Sequence, residues 1–283
     1  MGQIVKFSNK LGSIELTNKK PFLLSAIEGI SEISSTAITS KGVKQDGESF
    51  NYSRYDKKQL VVKFSILASD KDELMQLRDK VIRVLNPKIE GLLMYKYGGV
   101  DMQINCIPEG TPAISLVGNR MSCEGEVVLI AYNPFWESIF ENGDIISTWI
   151  GGWKFKFNLP FRFKQKGEPK KNIYNDGHVD TPVEIIFRGP AVNPSVINHA
   201  TGEFIKVERT LTSDDTLYIT TEFGNKKVEI ERNGMRQNAF HYIDLDSTFF
   251  QLRPGDNMIE YATDNELEPQ SVEIRYRNRY IGV

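Results

Sequence analysis

Cysteine and histidine are scarce in this chain, and no long stretch is free of charge. Two cysteines, Cys106 and Cys123, and three histidines are spread through 283 residues. Neither cysteine belongs to a CxxC pair and each falls in its own apolar segment, so two buried thiols are expected rather than a disulfide. The longest stretch without Asp, Glu, Lys or Arg runs from Gly189 to Gly202 and is rich in Pro and Asn. It is well short of the roughly 20 apolar residues of a membrane helix, so no membrane insertion is expected. The 35 basic residues are outnumbered by 37 acidic ones, a net charge of -2. That balance lacks the basic excess with which proteins neutralise phosphates, and sequence-specific nucleic-acid binding is not expected. Residues Met1 to Ser8 carry Lys6 where a secretory leader would be apolar, and Lys6 also stands where a myristoylation signal needs Ser or Thr. Synthesis and assembly in a cytoplasm is the resulting expectation.

Catalytic motifs are missing too. No P-loop, GxGxxG, GxSxG or HExxH occurs, so phosphate cradles, serine-hydrolase elbows and zinc-protease helices have no support. His178 and Asp180 form only a lone HxD pair, whereas a metal site needs three or four converging ligands. Asp214-Asp215 reads as a solvated turn. No carboxylate pair can be nominated for glycoside hydrolysis, which needs two at a set separation. The chain is therefore not expected to be an enzyme: no catalytic residue, cofactor or metal ligand is assigned.

What the sequence does have is short alternating segments bounded by Gly, Asn, Asp and Pro, the mark of strands and turns, so the fold class is mainly β. Gln59 to Leu67 places Val62, Phe64 and Ile66 on one face. Leu92 to Ile107 reads as a hairpin turning at Gly98-Gly99, and Met121 to Tyr132 as a central strand covered on both faces. One segment, residues 69–85, has helical spacing, with Leu74, Leu77, Val81 and Val84 in one stripe. Ser69 is its expected N-cap, Asp72 the capping-box partner, and Asn86-Pro87 its stop.

The texture changes after Asn133-Pro134-Phe135-Trp136, which sets domains of 1–138 and 139–283. The second opens with Trp153 to Lys164, a strict alternation of aromatic and basic residues that reads as a strand with its cations in water. Further strands at Val183 to Arg188, Glu203 to Glu208, Asp215 to Thr220, Lys227 to Arg232, Met258 to Ala262 and Gln270 to Tyr276 argue for an antiparallel sandwich. Phe50, Tyr52 and Tyr55 fall in a polar segment, Asp46 to Lys58, between two expected strands. Aromatics in such a loop mark a candidate subunit interface.

These residues also carry a resemblance. Asn175-Asp176-Gly177, Thr181-Pro182, Gly189, Asn193-Pro194, Asn198 with Thr201-Gly202, Phe250 to Asn257 and the ending Val272 to Tyr280 resemble the distal tail proteins of siphophages that infect Gram-positive bacteria. The helix from Glu73 to Leu85, Asn86-Pro87, Gly91-Leu92 and Asn133 to Trp136 look like the N-terminal half of the same family.

The resemblance implies a structural protein of the virion tail tip. Its first domain would form a homo-oligomeric ring, usually a hexamer, that stacks on the tail tube protein around a channel for DNA. Its second would be a galectin-like sandwich that projects as an arm and contacts receptor-binding or other baseplate proteins, with the tail-associated hub protein below. The galectin pattern of His, Asn and Arg on one strand followed by Trp and Glu is not found, so no sugar site carries over. A carbohydrate-binding module, suggested by Trp149, Trp153 and the sandwich, is the alternative from another class.

Overall fold

A computed structural model describes residues 2–118, 121–147, 169–264 and 271–283. The expected strand at Trp153 to Lys164, and Trp149 with it, lie outside them. The chain divides into two compact units, Met1–Ile139 with Arg279–Val283, and Phe140–Asn278. The sequence reading gave all of 139–283 to the second domain. The last five residues instead return to the first, because they find a strand to pair with there.

In the first unit the strands are β1 (Ile4–Asn9), β2 (Gly12–Leu16), β3 (Phe22–Glu28), β4 (Ser35–Ser40), β5 (Ser49–Tyr55) and β6 (Lys58–Leu67). After helix α1 (Lys71–Val84) come β7 (Gly91–Tyr97), β8 (Val100–Pro108), β9 (Ala113–Leu116), β10 (Ser122–Ala131) and β11 (Trp136–Ser138). One sheet runs β2-β1-β7-β8-β10-β6-β3, and its two end strands meet at a bridge between Thr17 and Leu23. The sheet so curls almost to closure around one core. Period-two alternation explains the curl's inside: Leu60, Val62, Phe64 and Ile66 of β6 are all buried. Opposite Phe64 stands Gly125, where a Cβ would come within 2.4 Å of the Phe64 ring. The glycine makes room for the aromatic. Strand β10 is central, as expected, but both of its faces are covered only from Leu129 onward, since Glu124 and Glu126 are exposed.

The helix lays Leu74, Val81 and Val84 on this core. Its N-cap is Asp70, not Ser69. The Asp70 carboxylate accepts from the Glu73 amide at 2.7 Å, while Glu73 accepts from the Ser69 amide at 2.6 Å. The cap lies one residue later than the Ser69 spacing suggested, and the return bond from Glu73 goes to the residue before the cap; the aspartate also adds its charge to the favourable end of the helix dipole. Both cysteines are buried and free, and burial pushes the Cys106 thiol up to about 12.

The second unit comprises β12 (Asn142–Ser147), β13 (Lys170–Asn175), β14 (Val183–Arg188), β15 (Ala191–Val192), β16 (Ser195–Asn198), β17 (Glu203–Lys206), β18 (Thr210–Leu211) and β19 (Asp215–Thr220). Then follow β20 (Lys227–Arg232), β21 (Met235–Asn238), β22 (Gly255–Ala262) and β23 (Ser271–Tyr276). Two antiparallel sheets, β12-β23-β14-β19-β20-β21 and β13-β22-β16-β17, share a core that includes Ile185, Leu217, Val272, Val196 and Ile259. Phe187 of the first sheet meets Tyr261 of the second edge-on, ring centroids 5.7 Å apart. The sandwich is as expected. Strands β12, β13, β15, β16, β18 and β21 are additions to the expected set; into β21 leads a two-residue turn, Asn233-Gly234, both at positive φ.

Several residues of the resemblance prove to be turn fasteners. Asn175, fully buried, donates to the carbonyls of Val179 and Leu252 at 3.1 and 2.9 Å and accepts from the Gly177 amide at 2.8 Å. Asn257 accepts from the Arg253 amide and donates to the carbonyls of Arg253 and Gly255, which pins the Pro254-Gly255 turn. Thr181 donates to the Arg277 carbonyl at 2.8 Å. A buried turn must satisfy its own backbone polar groups, and a short amide side chain does so with both its atoms.

Asp215 corrects the sequence reading directly. It is buried, not a solvated turn, and takes a two-pronged grip from Arg232 at 2.7 and 2.8 Å plus the Thr212 amide and hydroxyl. The Arg232 hydrogen bonds hold its carboxyl well below the usual carboxylate range, against the opposing pull of burial.

Across the first unit, Lys58 is likewise buried, 1% exposed, at the inward parity of β6. Burial lowers its ammonium to about 8, partly countered by Glu32.

Two predictions follow from these groups with opposite pH windows. Asp215→Ala should cost about 2 kcal/mol in urea unfolding at neutral pH. Because the folded pKa is depressed, the wild-type advantage is complete above about pH 4 and shrinks as pH falls below it, so equal stabilities at pH 7 would refute the role of the pair. For Lys58 the unfolded chain binds more protons between the folded value of about 8 and the ordinary 10.5. Wild-type stability should therefore climb with pH across that window relative to Lys58→Met. Parallel stability curves for the two proteins from pH 8 to 10.5 would contradict it.

Candidate assembly interface

The candidate interface residues are not in a loop. Phe50, Tyr52 and Tyr55 lie on β5, which among the described residues pairs only with β4, in a two-stranded sheet. The polar composition of Asp46 to Lys58 concealed a strand because no face of it is buried: every residue of β5 is exposed. Sequence alternation signals a strand only where one face meets a core.

The hairpin brings apolar side chains into cross-strand pairs without a core beneath them. Ile38 opposes Tyr52 and Thr39 opposes Phe50, with the register shifted at Asn51 by a bulge. Phe50 is 66% exposed and Tyr52 52%. The Arg54 guanidinium lies 5.9 Å from the Tyr52 ring centroid. Tyr55 differs from the other two, since its ring meets Phe135 edge-on at 5.5 Å. It serves the root of the hairpin, and Phe50 and Tyr52 are the pair presented outward.

Both outer edges of the hairpin carry backbone N–H and C=O groups with no strand beside them among the described residues. Strand β2 is an end strand as well, apart from the bridge at Thr17. Beside it opens a groove of about 780 Å³ lined by Lys6, Lys19, Lys20 and Lys80 with Glu15. The arrangement offers edges, exposed aromatics and a basic groove, which suit protein contact.

For chemistry the described residues offer less. None of their His, Cys, Asp and Glu side chains form a group of three that could hold a metal ion. His199 pairs with Glu260 at 2.5 Å, and Lys170 reaches the same carboxylate at 3.3 Å. No helix among them is long and apolar enough to cross a membrane.

Sequence reasoning missed the root of the hairpin altogether. Lys58, Ser31, Trp136 and Val283 meet there from four separate stretches of chain. The one signal available was the inward parity of Lys58, two before Leu60 in an otherwise apolar alternation.

Comparison with known proteins agrees with this architecture in both units. A family described as the phage tail protein RIFT-related domain matches residues 9–129, and one described as the siphovirus-type tail component, C-terminal domain, matches residues 176–280. No curated protein matches the chain. Among solved structures it is similar to the Dit protein of phage SPP1, described as a paradigm of the hub adsorption apparatus in phages infecting Gram-positive bacteria. The TM-score is 0.69 at 13% identity, covering 96% of this chain and 98% of that one. A chain of the phage P2 baseplate, in its activated conformation with Ca, gives 0.56 at 12% identity and covers both chains fully. A chain of the same baseplate with Sr gives 0.57 at 12% identity, covering 99% of each. At such identities the structures speak for the fold, while the two families speak for the lineage. The chain belongs to the distal tail (Dit) family of siphophages and is a structural component of the phage tail.

Proposed function

We propose that the first unit joins further copies of itself in a ring, a hexamer by analogy with the family, that stacks on the tail tube protein and leaves a channel for DNA. The second unit then serves as the arm that meets a receptor-binding or other baseplate protein, with the hub protein below the ring. The observation that carries this reading is the β4–β5 hairpin. An isolated two-stranded hairpin is marginal in water, and this one exposes Phe50 and Tyr52 with nothing among the described residues to cover them. A neighbouring copy would bury those rings and satisfy the open edges.

A ring needs a heterologous interface, one patch meeting a different patch on the next copy. The hairpin supplies the first patch. The free edge of β2 and the lysine-lined groove beside it offer a second, of different chemistry. A balanced total charge is consistent with a channel that lets DNA slide without binding it.

Negative-stain imaging of the purified protein, alone and with tail tube protein, should show rings with an open centre. Phe50→Ala and Tyr52→Ala, both at exposed positions, should leave folding intact and weaken self-association about tenfold each, as loss of an interface aromatic does. Rings that form undiminished in the double variant would remove the hairpin from the interface.

A further inference from the structure

The hairpin leaves the first unit through residues 29–34, and this segment is gripped far more tightly than a surface loop ordinarily is. From below, the Lys58 ammonium donates to three of its carbonyls, Gly29 at 3.3 Å, Ile30 at 3.2 Å and Glu32 at 2.7 Å. From one side the Trp136 indole, fully buried, donates to the same Ile30 carbonyl at 2.9 Å. The remaining member of the run, Ser31, donates its hydroxyl to the Val283 carbonyl at 2.6 Å. Gly282 passes so near that a Cβ on it would stand 2.7 Å from the Ser31 Cα and carbonyl oxygen. Gly29 is equally confined: its φ is +82° and a Cβ there would lie 2.2 Å from the Gln59 carbonyl oxygen.

The segment that brings Gly282 and Val283 to this place is itself fixed. Strand β24 (Arg279–Tyr280) pairs with β11, Trp136 opposite Tyr280 and Glu137 opposite Arg279. The Arg279 guanidinium, almost wholly buried, holds the Glu137 carboxylate at 2.9 Å. Tyr280 and Val283 pack against the first core. Core stability alone does not call for a buried cation, since an apolar side chain of the same length would fill the space without the desolvation cost. What the lysine adds is a three-point hold on one loop.

We propose that Lys58, Trp136 and the segment Arg279–Val283 are positioning residues for the hairpin: by locking residues 29–32 they set the direction in which β4–β5 presents Phe50 and Tyr52 to a second copy. The lock stands on its own geometry, and only its effect on assembly rests on the reading of the hairpin as the ring contact. Chain order gives it a consequence. Arg279 is reached only after the whole second unit, so the contact surface of the first unit is incomplete until the second has been traversed.

The test uses the full chain, at concentrations where it is unassembled, with trypsin cleavage after Lys41 and Lys44 reporting on the hairpin and cleavage after Lys226 and Lys227 as a control in the other unit. Ser31→Ala and Gly282→Ala should each accelerate cleavage of the hairpin about fivefold, the loss of roughly one hydrogen bond, and leave the control sites unchanged. Ser31→Thr, which keeps the hydroxyl, should cleave like the wild type. Both lock variants should also weaken self-association. Unchanged cleavage of the hairpin in both, or equal acceleration at Lys226, overturns the proposal. So does assembly that falls in Phe50→Ala but not in the lock variants. If hairpin cleavage accelerates and Phe50→Ala leaves assembly untouched, the lock is upheld and the hairpin's role as ring contact is what fails.

Discussion

Every strand in this protein poses the same demand: the backbone N–H and C=O groups along its edges must find partners in chain, side chain or water. With one α-helix and some two dozen strands among the described residues, the molecule is largely an account of how that demand is met. The first sheet nearly closes on itself at Thr17 and Leu23. Its β11 edge is taken by β24, returning from the far end of the sequence. In the second unit two sheets face each other across one core, and their turns are fastened by Asn175 and Asn257. Among the described residues the β4–β5 hairpin leaves both its outer edges open and exposes aromatics beside them, and such surfaces are what a protein that works by assembly requires.

This view changes what the family-like residues mean. In an enzyme, an ordered succession of Asn, Gly, Thr and Pro at fixed spacing would invite a search for ligands. Here Asn175 and Asn257 spend both their donor and acceptor atoms on nearby backbone, Asn175 on Gly177, Val179 and Leu252. Their chemistry is consumed in shaping turns. A protein whose task is to present surfaces needs exact turns more than reactive groups, and the sequence spends its polar core residues accordingly.

Two of the buried charges, Asp215 and Lys58, illustrate the same economy at opposite signs. Asp215 is held ionised because an arginine and a threonine meet it from neighbouring segments. Lys58 donates to carbonyls, and burial loosens its proton, which Glu32 counters only in part. Neither was legible as buried. Asp215 follows Asp214 in a polar run whose natural reading is a turn, and only strand β20 arriving with Arg232 makes burial tolerable.

How much could be read beforehand divides along a physical line. Periodicity, turn residues and helix punctuation are local, and through them the sequence by itself determined the mainly β class, the helix with its stripe of Leu74, Leu77, Val81 and Val84, the buried free thiols and strands β14, β17, β19, β20, β22 and β23 of the sandwich. A strand without a core beneath it leaves no alternation, so β5 passed for a loop, and β21, exposed throughout, was lost for the same reason. What only the tertiary structure decided are contacts between residues far apart in the chain: Ser31 with Val283, Trp136 with Ile30, Arg279 with Glu137. No spacing rule encodes such pairs, because their geometry exists only once the sheets have curled and the chain has come back.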